Sequence, residues 1–214
     1  MTKKKLAVFD FDSTLIKQEV IDEIAELAGK KKEVSEMTRR AMEDGWDFRE
    51  ALEKRVSHFR GLKVSEVKKV SDTIEFREGF EELVNWLKEN GFVLAIISGS
   101  FGIVIEELKK KEPKLKKFDY VFVNELEESD GILTGKAKMA VGSNKGEILK
   151  GIQEKEGIRK KDTVAVGDGT SDISMFRNAG ISIAFMAGEK TRMAAKFYAE
   201  NLKQVLSIIR KEDE

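Results

Sequence analysis

The chain has 214 residues, 41% hydrophobic and 36% charged, with 39 acidic and 39 basic side chains. That length and apolar content exclude a disordered chain and allow one α/β domain with an insertion, while the balanced charge leaves no electrostatic footprint for nucleic acid or an anionic membrane. Cysteine is absent and His58 is the single histidine, which excludes disulfides, thiol chemistry and Cys-based zinc sites and makes any His-dependent triad or metal centre hang on one residue.

In chain order, residues 6–9 form a short apolar run that reads as a buried parallel strand. The run is too short for a secretory signal and no stretch approaches the ~20 apolar residues of a membrane span, so a cytoplasmic location is expected. Residues 15–72 then show helices and no convincing strand. Val20, Ile24 and Leu27 share one helical face, Val34, Met37 and Ala41 a second, and Phe48, Leu52, Val56 and Phe59 a third, with a fourth helix over 64–70. This predicts a small helical bundle inserted after the first strand.

Beyond it, strands and helices alternate. Phe80, Leu83, Val84 and Leu87 make a helix that Gly91 stops, and 93–97 is a strand. Phe101, Val104, Ile105 and Leu108 make the next helix, and 120–123 the next strand. Asp130-Gly131 is a hairpin turn signal between strand-like runs, which predicts a β flap. Ile148, Leu149 and Ile152, strands at 163–166 and 182–185, and a last helix on Leu202, Val205, Leu206 and Ile209 complete the pattern. An Asn201–Gln204 capping box opens that helix. The expected fold is α/β: a doubly wound, mostly parallel, Rossmann-like sheet with an inserted α-helical cap and a β-hairpin flap.

Ligands of such sheets bind at the carboxyl ends of the strands. The first strand ends in Asp10-Phe11-Asp12-Ser13-Thr14, the second in Ser98-Gly99-Ser100, and the fourth in Gly167-Asp168-Gly169-Thr170-Ser171-Asp172. A single Asp after a strand is equally an ordinary turn or cap residue. Four carboxylates on one rim need a cation or protons, and without Cys or clustered His an oxygen-ligated magnesium ion suits them. Ser98-Gly99-Ser100 opening a helix offers backbone N–H groups to an anion, or simply a cap. Lys145 falls in a first helical turn, behind an Asn144–Glu147 capping box, where a cation opposes the helix dipole unless an anion sits in front of it; a solvated lysine is the plainer alternative. Arg55 lies inside an apolar stripe and needs a partner, either a ligand carboxylate or a structural acid. By pattern alone, Glu19 is surface, Met42 and Phe48 are core, and His58 is no ligand.

In order, Asp10-Phe11-Asp12-Ser13-Thr14, Ser98, Lys145 and the segment from Gly167 to Asp172 resemble the four motifs of the haloacid dehalogenase superfamily, and the helical insert resembles its small cap. Length, cap position and surrounding motifs are most similar to the phosphoserine phosphatases. The resemblance covers essentially the whole chain. It implies a catalytic core of residues 1–14 and 73–214 with a cap over 15–72, in a cytoplasmic monomer or homodimer. It also implies a Mg²⁺-dependent hydrolase that takes a small phosphorylated substrate, O-phospho-L-serine, to serine and phosphate through a phosphoaspartate, a step of serine biosynthesis.

Carried over, the resemblance makes Asp10 the nucleophile and Asp12 the general acid and base. Mg²⁺ would lie on Asp10, the Asp12 backbone carbonyl and Asp168, with Asp172 in support. Ser98, Gly99, Lys145 and Ser171 would hold the phosphoryl group, and Glu19, Met42, Phe48 and Arg55 the rest of the substrate. Two positions depart from the pattern: Ser100 stands where Gly is usual and Ser171 where Asn is usual. The alternatives are a phosphatase or phosphotransferase of broader specificity in the same superfamily and, more remotely, a phospho-acceptor signalling module.

Overall fold

The computed structural model describes residues 4–44 and 47–213, with 41–44 as backbone only. Seven strands form one sheet in the order β4-β3-β2-β1-β5-β6-β7. They are β1 (Lys5–Phe9), β2 (Phe92–Phe101), β3 (Tyr120–Ser129), β4 (Ile132–Lys138), β5 (Thr163–Gly167), β6 (Ile181–Phe185) and β7 (Phe197–Ala199). All neighbours pair in parallel except β3 and β4. Alternation along β1 splits the core in two. Ala7 and Phe9 enter one apolar cluster and Leu6 and Val8 the other, on opposite faces of the sheet.

The helices follow the expected stripes. α1 (Val20–Leu27), α2 (Lys31–Asp44), α3 (Phe48–Ser57) and α4 (Val64–Lys69) are the insert; α5 (Phe80–Glu89) and α6 (Gly102–Lys111) flank β2; α7 (Lys145–Glu156) and α8 (Ile173–Phe176) flank β5; α9 (Glu189–Ala194) follows β6 and α10 (Leu202–Asp213) ends the described chain. Asn201 accepts the Gln204 N–H at 2.9 Å, but Gln204 returns its bond to the Glu200 N–H at 2.8 Å, so the capping pair reaches back one residue further than expected. No described helix is long and apolar enough to cross a membrane.

The two chain segments that bound the insert lie side by side. Ile16 bridges Phe76 antiparallel, Lys17 N–H donates to Glu75 O at 2.9 Å and Arg77 N–H to Leu15 O at 3.0 Å. The hairpin forms where Asp130-Gly131 predicts it, with φ of 52° and 77° at the two turn residues. Its tip reaches the insert: Gly61 N–H donates to Leu133 O at 2.9 Å, Leu133 N–H to Leu62 O at 2.8 Å and Val64 N–H to Gly131 O at 2.9 Å. The insert's Val20, Ile24, Val56 and Phe59 share one apolar cluster with Phe9 and Phe101 of the sheet and Leu83 of α5.

Candidate active site

The chain leaves β1 in a tight turn. Asp10 N–H extends the ladder to Val166 O at 2.9 Å, and Phe11 O accepts both Leu15 and Ile16 N–H, at 2.9 and 3.2 Å. Ser13 sits at φ 55°, a left-handed conformation that costs a serine about 1–2 kcal/mol. Two contacts offset this: Arg77 Nη2 donates to Ser13 O at 2.8 Å, and Ser13 Oγ donates to Glu19 Oε1 at 2.6 Å. The turn brings both Asp10 and Asp12 to line one cavity.

Lys145 begins α7 but points across the site. Its Nζ lies 2.7 Å from Asp10 Oδ2 and 2.7 Å from Asp172 Oδ1, and the side chain is 2% exposed. Burial alone pulls the ammonium down; the Asp10 and Asp172 carboxylates outweigh it and hold Lys145 charged, above its ordinary range. The expected Asn144–Glu147 capping box does not form. Asn144 turns back on its own loop, accepting the Gly142 N–H at 2.8 Å and donating to Ala140 O at 3.2 Å, so it shapes the turn ahead of the helix instead.

Asp168 and Asp172 come from the loop after β5. One carboxylate oxygen each from Asp10, Asp168 and Asp172 lie within 4.8 Å of one another. Thr14 Oγ1 donates to Asp168 Oδ1 at 2.8 Å, and Asp172 Oδ2 accepts the Gly169 N–H at 3.0 Å. Burial pushes the Asp168 carboxyl up to about 7, with the Asp10 charge adding to it. Burial likewise pushes Asp172 up to about 7, against the pull of Lys145. Asp10 and Asp172, buried, and Asp168, half-buried, share the single cation Lys145, and an all-oxygen donor set of this kind fits a small hard divalent ion. The Asp12 carbonyl already accepts the Thr14 N–H, at 2.6 Å, and keeps a second lone pair.

Ser98-Gly99-Ser100 does not open a helix. β2 runs through it to Phe101, with its register against β3 broken between Ile97 and Phe101, and α6 starts only at Gly102. A methyl group on Gly102 would overlap the Glu125 carboxylate, so an acidic side chain already lies at that helix start. Asn124, fully buried, holds the irregular strand: Nδ2 donates to Gly99 O at 3.1 Å, and Oδ1 accepts Ala140 and Val141 N–H, both at 2.9 Å. Ser98, Gly99 and Ser171 face the cavity.

The insert supplies the opposite wall of this cavity of about 350 Å³, with Glu19, Phe48 and Arg55. Arg55, 9% exposed, donates through Nε to Ala51 O at 3.0 Å and through Nη1 to Thr38 Oγ1 at 3.1 Å, leaving donors unused. Burial lowers its pKa, opposed by Glu19 and Asp22. Glu19 is half-buried rather than the surface residue its helical face suggests, because it precedes α1 and turns toward Ser13; burial raises its pKa against that hydrogen bond. Phe48 wedges against the Gly99 and Gly142 backbone, its ring 3.3 Å from where a methyl on Gly99 would sit and 3.0 Å from one on Gly142. Met42 falls in the backbone-only stretch, so its expected contact lies outside the described residues. His58 lies outside the cavity, its Nδ1 3.9 Å from Glu33.

Asn124, Thr14, Arg77 and Lys190 escape the sequence reading as site residues. Thr14 stands inside the first motif, which implies no role of its own for it, and Asn124 follows the apolar run at 120–123, the same strand-end signal that singles out Asp10. Nothing in the sequence marks Arg77, or Lys190, which lines the cavity mouth from α9.

Residues 7–177 match the family model for haloacid dehalogenase-like hydrolases. The chain is 44% identical over 212 residues to a phosphoserine phosphatase of Methanocaldococcus jannaschii, covering 97% of this chain and 99% of the relative. It is 42% identical to a phosphoserine phosphatase of Archaeoglobus fulgidus over 97% of its own length, spanning 60% of that longer protein. A solved structure named as a phospho-aspartyl intermediate analogue of phosphoserine phosphatase superposes with a TM-score of 0.88 at 44% identity, over 96% of this chain and 99% of that one.

Proposed function

The chain belongs to the haloacid dehalogenase-like hydrolase family, and from that premise we propose that it hydrolyses O-phospho-L-serine to L-serine and phosphate through a phosphoaspartate on Asp10. The observation that carries this reading is the charge layout of one cavity. The carboxylates gather beyond the ends of β1 and β5 with the Lys145 ammonium reaching them from α7, and Arg55 and Glu19 line the same cavity from the insert. A substrate with a phosphoryl group at one end and a carboxylate and an ammonium at the other complements both walls.

Uncatalysed phosphate monoester hydrolysis is so slow that acceleration approaches ~10²¹, whereas general acid–base catalysis supplies only ~10²–10⁴. Preorganised charge must carry most of the difference. A carboxylate oxygen of Asp10 attacks phosphorus as the P–O bond to the serine oxygen breaks, and Asp12 gives that oxygen its proton. Lys145 aims Asp10 through their 2.7 Å contact, and with the Ser98 hydroxyl, the Gly99 N–H and Ser171 it holds the phosphoryl oxygens. Asp12, now ionised, takes a proton from the water that cleaves the acyl phosphate. Asp10, Asp168, the Asp12 carbonyl and, in support, Asp172 fit a Mg²⁺ ion, which when bound would neutralise charge on the phosphoryl group.

On the same reading, residues 15–72 are a cap over a core of 1–14 and 73–214. The paired segments at residues 15–17 and 75–77 are its hinge, and Phe48 is the plug that keeps bulk water from the phosphoryl pocket.

A panel of phosphoserine, phosphothreonine, phosphoethanolamine and sugar phosphates, with and without Mg²⁺, tests this. A strong preference for phosphoserine that depends on the metal is expected. Ser100 and Ser171 favour one second reading, a broader small-phosphate hydrolase, and similar kcat/KM across the panel would establish it. A long-lived phosphorylated chain would point to a signalling module.

A further inference from the structure

Asp12 is gripped at both carboxylate oxygens. Ser100 Oγ donates to Oδ1 at 3.0 Å, and the Val20 backbone N–H reaches Oδ2 at 3.4 Å. The hydroxyl comes from the irregular stretch of β2 and the N–H from the first residue of α1. Ser100 is 1% exposed and does not line the cavity, although Asp12 does. Its backbone N–H points to Ser98 Oγ at 3.3 Å. Ser100 therefore meets the reaction only through Asp12.

The two donors differ in kind. A backbone N–H can only donate, whereas a hydroxyl donates or accepts by rotating. An oxygen that takes up the proton becomes a poorer acceptor, so protonation at the oxygen facing the N–H weakens that bond. An oxygen facing a hydroxyl escapes that cost: the serine donates to it when Asp12 is ionised and turns away or accepts when Asp12 is protonated. We infer that Ser100 is a positioning residue for the acid–base step, fixing the plane of the Asp12 carboxyl and assigning its transferable proton to Oδ1. That proton leaves Oδ1 for the alkoxide oxygen as the P–O bond breaks, and the attacking water returns one to it. The inference rests on the proposed acid–base role of Asp12.

The test compares leaving groups. Ser100→Ala and Ser100→Gly are assayed for kcat/KM on an alkyl phosphate, whose departing oxygen needs a proton, and on p-nitrophenyl phosphate, whose phenolate departs without one. Phosphoserine is the alkyl substrate on the present reading. Loss of one charge-assisted hydrogen bond should lower the alkyl value about tenfold, with the aryl value changing less than about twofold. Equal losses on both substrates, or no loss on either, overturn the proposal. Two variants guard against a packing defect: Gly removes the hydroxyl and leaves no Cβ to clash, so a selective loss in Ala alone also overturns it. Wild type that ignores phosphoserine but hydrolyses another alkyl phosphate defeats the substrate assignment, and Ser100 is then judged on that substrate.

Discussion

Lys145 and Asp10, 135 positions apart in the chain, meet at 2.7 Å in a site where the lysine is 2% exposed. The same ammonium lies 2.7 Å from Asp172. One buried cation thus orients the Asp10 carboxylate and ties the end of β1 to the loop after β5.

Lys145→Met removes that cation and leaves two buried carboxylates facing each other. Breaking one partner of a buried pair costs roughly 3–5 kcal/mol. Urea unfolding of metal-free protein should show a loss of that order, and kcat should fall by at least about 10²-fold in folded enzyme. A variant with wild-type stability would mean that the carboxylates find other partners.

Asp10→Asn should abolish covalent labelling. Wild type quenched in acid during turnover of a ³²P-labelled substrate carries label on the chain; the variant carries none, and its kcat drops at least about 10³-fold. Freshly purified protein free of deamidation is needed for the measurement, because reversion to Asp restores the nucleophile.

Arg55→Ala separates recognition from chemistry. Phosphoserine should lose about 30-fold or more in kcat/KM, the size of a lost charge-assisted contact. Phosphoethanolamine, which has no carboxylate, should lose far less. Matching losses would make Arg55 a structural residue of α3, held there by Ala51 and Thr38.

Chelation should expose the acidic cluster as a source of instability. Asp168 and Asp172 titrate near 7 in the fold against 3.8 when unperturbed, so the folded state holds their protons more tightly. Their contribution to stability is fully present below pH 3.8 and is lost as pH rises through about 7. In metal-free protein, Asp168→Asn should therefore raise Tm at pH 8 while leaving it nearly unchanged near pH 4. Mg²⁺ competes with those protons, so the Tm gain it gives wild type should grow from pH 5 to pH 8. Differential scanning calorimetry at the three pH values decides this; a gain that does not vary with pH would remove the three-carboxylate site.

Much of the architecture was legible because burial imposes simple periods. The runs at 6–9, 93–97 and 164–166 are apolar throughout because parallel strands are covered on both faces, and Asp130-Gly131 announces a hairpin because few residues tolerate its positive φ. The motif carboxylates were legible because strand ends are where a parallel sheet binds ligands. β7 was not: three residues at the sheet edge carry too little pattern to separate from a loop. The helix expected at Ser98 failed because small polar residues after a strand look the same whether they open a helix or bulge the strand, and β3 with Asn124 settles the matter from outside the segment.

Chemistry-bearing residue types and their order along the chain are local properties, so the sequence by itself determined the α/β alternation, the helical insert and the acidic strand ends. Which oxygen of Asp12 meets Ser100, where the Lys145 ammonium comes to rest, and that Glu19 turns inward while Asn144 abandons its cap depend on distances between segments far apart in the chain. Hydrogen bonds act over about 3 Å and in set directions, so only the packed tertiary structure decides them.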